Sequence, residues 1–219
     1  MNHTRSNTPG STRRFTRAGL ASALAVSAAL TAAAAAPAAA GGPTAYSAAV
    51  PRFLAPGDLP AASTPWTADP VRKGLPADES FCTAGTTPAT GTRYRDFRTE
   101  LDTTARQTTT VAATPAKAAQ LADRLRLAVE TCLDRMKAGY PGLEGEAFHH
   151  GPVDVEEGAN VYSIDTHDPE VGSTDIALWS VGRDGRTVTV VQWGQLGELD
   201  GAPLAAFQRT TATAVARLH

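Results

Sequence analysis

No short catalytic signature occurs in this chain. Gly-x-Ser-x-Gly is absent, so no serine nucleophile is announced on a strand-to-helix elbow. His-Glu-x-x-His, the Gly-rich phosphate loop ending in Lys and Ser/Thr, and the dinucleotide fingerprint are missing too. The sequence therefore points to no enzyme class and implies no cofactor. Cysteine is scarce, with two among 219 residues. Neither is a good nucleophile if both are in a disulfide, and neither ends the apolar run near the start, which argues against a lipid-anchored lipoprotein. Positive charge is short as well. Four of the 20 basic residues (Arg5, Arg13, Arg14 and Arg17) fall in the first 40 positions. The remainder carries 16 basic against 22 acidic residues, a net charge of about −6, which disfavours a nucleic-acid partner. Internal repeats, heptads and a membrane span are lacking beyond residue 40.

What is present begins with an address. The basic residues above are followed by the apolar run from Ala18 to Ala36 and then by Pro37-Ala38-Ala39-Ala40-Gly41. Basic, then apolar, then small is the order of a secretory signal peptide, so residues 1–40 are read as a leader cleaved near Ala40. A membrane anchor is the alternative, but alanine is a weak membrane residue. Arg13-Arg14-Phe15 leaves both general and twin-arginine export open. The protein is expected outside the cell or in the cell wall. In that oxidising setting Cys82 and Cys132 predict one disulfide, with two free thiols as the alternative.

Residues 41–75 are rich in Ala, Pro, Ser, Thr and Gly and have no sustained period, so they read as an N-terminal arm, flexible or docked. Within it Phe53, Leu54, Leu59 and Trp66 are apolar enough to dock, either as a flap or as a short turn that plugs the edge of the core. Residues 76–219 are expected to form one α+β domain: an antiparallel sheet of about six strands, with two helices over one of its faces. The firmest element is the helix from Thr114 to Tyr140. Thr114 is a good N-cap, Pro115 suits the first turn, and Ala118, Leu121, Ala122, Leu125, Val129 and Cys132 recur on one stripe. Gly139 is expected to cap its end in the left-handed conformation. Strands are read at 93–101, 105–112, 146–155, 160–166, 174–181 and 186–193. The last two join around Arg183-Asp184-Gly185 and are apolar on both faces. A helix from Pro203 ends the chain.

Several constellations could carry function. Arg93, Arg95, Arg98 and Arg106 form either a basic patch for an anion or the solvated face of a hairpin, cross-paired with Asp96 and Glu100. Trp66, Arg95 and Arg106 are taken as candidates for a ligand cleft. His150 and Asp154, in the acidic stretch that also holds His149, Glu156 and Glu157, are the alternative for a metal or a hydrolytic site. Neighbouring histidines on a strand point to opposite faces, so at most one of that pair can join a given site.

The opening FLAPGDLP from Phe53, Trp66, the Phe81-Cys82 pair, the helix reaching Glu130-Thr131-Cys132, the hairpin Trp179-x-x-Gly-Arg-Asp-Gly with Val188 to Val191, and the closing helix together resemble the PknH-like extracellular sensor domain. That family stands at the outer end of actinobacterial serine/threonine kinases and in related secreted or lipid-anchored proteins. The resemblance spans Phe53 to Leu218. It implies an antiparallel sheet with packed helices, disulfide support, and a cleft for a small extracellular ligand or cell-envelope component, without enzymatic activity. This chain has neither the kinase domain nor the transmembrane segment of the kinase members, and one possible disulfide where they tend to carry two. Only binding carries over, and no individual ligand residue does. A secreted hydrolase and a protein-interaction domain are the alternatives, and the oligomeric state is left open.

Overall fold

The computed structural model describes residues 50–219. The expected leader at 1–40 and the first part of the arm lie outside the described residues.

Eight antiparallel strands form one sheet: β1 (Thr67–Ala68), β2 (Arg72–Lys73), β3 (Thr92–Arg98), β4 (Thr104–Val111), β5 (Glu144–Val153), β6 (Ala159–Asp168), β7 (Ser173–Asp184) and β8 (Thr187–Leu196). Their spatial order is β1-β3-β4-β8-β7-β6-β5, with β2 also on the outer edge of β3. The α+β class and the six longer strands agree with the sequence reading. The strand count is higher because two-residue strands lie inside the stretch read as a flexible or docked arm. Two residues show no alternation, so no period could reveal them.

Between β4 and β5 run α1 (Pro115–Glu130) and α2 (Cys132–Gly139), and α3 (Leu204–Ala216) follows β8. The Thr114 side chain accepts a hydrogen bond from Lys117 N at 3.2 Å, which caps the start of α1 as its type predicts. The long helix does not run through as one piece. At Thr131 the backbone leaves helical geometry (φ −95°, ψ 7°), and the Thr131 hydroxyl donates to Leu127 O at 2.8 Å. Such a back-bond competes with the helical ladder and bends it. Gly139 is not left-handed: α2 stops with Tyr140 N bonded to Met136 O at 2.9 Å.

The helices do not share a face of the sheet, which corrects the expectation of two helices over one side. Leu121, Leu125 and Val129 of α1 pack with Tyr162, Ile164, Trp179, Val181, Val188 and Val190. Phe207 and Ala214 of α3 pack with Val161, Leu178, Val191 and Trp193, the alternate residues of the same strands. In the register Leu178 faces Trp193 and Trp179 faces Gln192, so the two tryptophans stand on opposite faces. Central strands that are apolar on both sides need cover on both, which is why α3 takes the second face. Its close approach depends on Gly182, where a Cβ would sit 2.9 Å from Ala159 Cβ and closer still to Val215.

The arm docks on the α3 face as well. A single 3₁₀ turn, Pro56–Asp58, sets Leu54 and Leu59 into the core beside Phe97 and Trp193. This is the plugging turn. Gln107, fully buried, accepts from Leu54 N at 2.7 Å and donates to Thr189 Oγ1 at 3.1 Å, so its burial leaves neither end of the amide unsatisfied.

Candidate functional site

On the α1 face the helices cover only part of the sheet. Over the end of β8 and the start of β7 the cover is the irregular loop from Leu75 to Gly91, and two residues of the body, Cys132 and Arg106, are prominent in holding that loop down. The first makes the Cys82–Cys132 disulfide, with Cα atoms 5.0 Å apart, as expected from the sequence. The second is Arg106 on β4. Its guanidinium donates to Asp96 Oδ1 at 2.5 Å, to Asp78 O at 2.8 Å and to both Asp78 carboxylate oxygens at 3.0 and 3.1 Å, and it sits over the Tyr94 ring. Burial alone would lower the guanidinium pKa, but the Asp96 and Asp78 carboxylates outweigh it and raise it. Arg106 in turn keeps the Asp78 carboxyl below its ordinary range.

Between this pinned loop and the sheet lies a groove of about 370 Å³. Ile164, Ala177 and Trp179 form its apolar floor, and Phe81, Cys82 and Met136 form the wall beside the disulfide. Gln192, Thr166 and Ser80 bring amide and hydroxyl groups to it, and Asp102 and Asp175 bring carboxylates, while no Lys, Arg or His lines it. Phe81 and Leu196 on the rim are 47% and 57% exposed. Phe81 is steadied by the Arg135 guanidinium over its ring at 5.4 Å, and Arg135 also donates to Cys82 O at 3.1 Å. The indole Nε1 of Trp179 is buried and has no hydrogen-bond partner in the protein. A more polar groove of about 490 Å³, which includes Arg72, Arg98 and Arg106, shares Ser80, Thr104 and Gln192 with the first.

The three residues proposed for a cleft do not meet. Asp96 is the cross-strand partner of Arg106 and Gln107 that of Arg95, so the two arginines point to opposite faces. Arg95 donates to Asp69 O and Leu54 O at 2.8 and 3.0 Å, tying down the arm, and Trp66 donates through Nε1 to Pro60 O at 2.7 Å within it. Of the three, Arg106 alone lies beside the grooves, and its donors are spent on Asp78 and Asp96. The cross-pairing with Asp96 is the one the hairpin reading anticipated.

The histidines separate as strand alternation requires. His149 stacks on Tyr162, with ring centroids 4.8 Å apart, and meets Asn160 Oδ1 at 3.0 Å. His150 meets Ser163 Oγ at 2.8 Å on the other face, where burial and then His149 lower its pKa. Tyr162, buried and donating to Glu130 at 3.0 Å, has its phenol pKa raised by that burial and by the carboxylate. His150 and Asp154 belong to no cluster of three potential metal ligands among the described residues. Such a cluster forms instead from Glu156 with Asp184 and His219. The residues named for a cleft missed the groove's lining because that lining comes from six segments far apart in the chain. Its one legible signal was Cys82, since the space beside a staple is where a loop is held off a sheet.

Comparison with protein families, curated proteins and solved structures finds no match for this chain. The fold and the groove therefore define it as an α+β protein with one disulfide and helices on both faces of an antiparallel sheet. Among the described residues no helix is long and apolar enough to cross a membrane.

Proposed function

We propose that this is a secreted, sensor-like binding domain without catalytic activity, which takes a small extracellular or cell-envelope ligand in the groove beside Cys82–Cys132. The observation that carries the reading is the groove itself: an aromatic and aliphatic floor with a few polar groups at the edge is the usual make-up of a small-molecule site. The disulfide and the resemblance to extracellular sensor domains support the placement outside the cell. The lining also narrows the ligand. Carboxylates without a cation among the lining residues disfavour an anion, and the apolar floor of Ile164, Ala177 and Trp179 with Ser80, Thr166 and Gln192 at its edge favours a neutral or cationic molecule with one apolar face, such as a sugar ring. A hydrolase at His149–Glu157 gains no support, because the two histidines diverge and neither contacts a carboxylate.

The test is a thermal-shift screen against envelope glycans, lipids and metabolites. A ligand at about 100 times its Kd adds about 2.7 kcal/mol of stability, a rise of several degrees. The rise should disappear in Ala177→Phe, which fills the floor, and shrink in Phe81→Ala on the rim. A screen with no rise, or a rise unchanged in both variants, removes this reading.

A further inference from the structure

The far end of the sheet holds a second constellation. Asp184 ends β7, Glu156 lies in the turn between β5 and β6, and His219 follows α3. Three remote segments thus bring a carboxylate, a second carboxylate and an imidazole to one place, with one ligand atom of each within 4.8 Å of the others. Asp184 is only 6% exposed, its Oδ2 is shielded from solvent without a regular hydrogen bond, and the group against it is the His219 imidazole, an ion-pair partner only when protonated. A buried carboxylate oxygen in that condition is costly. The guanidinium of Arg183, next to Asp184 in the chain, is already paired with Glu157 at 3.4 Å, while Glu157 also accepts from Gly185 N at 2.7 Å. An imidazolium at His219 answers Asp184 alone, and the exposed Glu156 beside it is then answered only by solvent. A divalent ion answers both carboxylates and takes the imidazole as a neutral ligand.

We propose that Glu156, Asp184 and His219 form a binding site for a divalent transition ion of the zinc type, with one nitrogen and two oxygen ligands and water completing the shell. The imidazole selects against magnesium and calcium, which prefer oxygen ligands alone. The ion would join the β5–β6 turn, the β7–β8 hairpin and the segment after α3. It lies at the opposite end of β7 from the groove and needs nothing from the ligand proposed there.

The experiment is calorimetry and thermal unfolding of the untagged protein with zinc chloride and, separately, magnesium chloride. Expected are saturable binding of one zinc ion and a melting rise of about 3 °C or more in modest excess zinc, without a comparable magnesium response. Both ligands on the exposed side can be removed without disturbing the core, so His219→Ala and Glu156→Gln should each weaken zinc at least about tenfold. His149→Ala and His150→Ala should leave it unchanged. No saturable zinc binding overturns the proposal, as does binding that survives either His219→Ala or Glu156→Gln undiminished.

Discussion

Arg106 illustrates how little a side chain's type says about its use. By composition it is one of four arginines on a hairpin, yet it is mostly buried and clamps two strands and a loop through Asp96 and Asp78. Arg106→Ala is expected to cost about 1–2 kcal/mol in urea unfolding, with Arg106→Lys recovering only part, because an ammonium cannot fork to both carboxylates. The sign of its pH dependence follows from Asp78, whose folded pKa lies below the ordinary 3.8. The clamp contributes fully above that value, and its contribution is lost as pH falls through the lowered folded one. The stability gap between wild type and Arg106→Ala should therefore persist through mild acid and close only below pH 3.8. His150 behaves differently. Its folded pKa lies below the ordinary 6.5, so the neutral form is favoured in the fold, and this contribution weakens as acid protonates the ring. Relative to His150→Gln, wild type should lose stability as pH falls from 7 to 5, measured by melting temperature at matched ionic strength. Residue identity suggested that the hairpin arginines cross-pair with Asp96 and Glu100. It could not show which arginine meets Asp96, and so that Arg95 faces away, because that depends on the register set by the turn at 99–103.

At the scale of elements, period and capping chemistry made the helix after Thr114 legible. Its break was not, since Thr131 fits a helical stripe as well as any polar residue until its hydroxyl turns on Leu127 O. The side taken by α3 was also hidden. Strands apolar on both faces need cover on both, and the sequence reading did not carry that through to the closing helix. Gly182 marks where the choice was made. Gly182→Ala is expected to cost about 1–3 kcal/mol, through overpacking against Val215 and Ala159, with the loss centred on α3 in hydrogen exchange. The disulfide acts on the other face. Closing a loop of 50 residues is worth about 4 kcal/mol on chain-entropy grounds, so Cys82→Ser with Cys132→Ser should unfold at clearly lower denaturant. If the groove is the binding site, that pair should also weaken any ligand found, since the Phe81 wall would lose its anchor.

For the molecule as a whole, the class of fold and the staple were legible, but the layered arrangement and the groove were not. Both are products of long-range closure. The described chain opens with residues that rest on those closing it: Arg52 N meets Arg217 O at 3.0 Å, Thr210 donates to Asp58 O at 2.6 Å, and Arg217 pairs with Asp58 at 2.6 Å. Leu54, with no exposure, is the apolar centre of that junction. Leu54→Ala should cost about 2–5 kcal/mol and release the arm to protease before the sheet melts. The same junction sets an order of events in time. β4 pairs with β8, which follows it by some eighty positions, and the arm waits longer still, for a helix about 150 residues downstream. Contacts this remote form late and slowly. Leu54 can meet Phe97 and Gln107 early, but it and Trp193 gain their full cover only when β8 and α3 have joined the same face, so this side of the sheet is expected to close last.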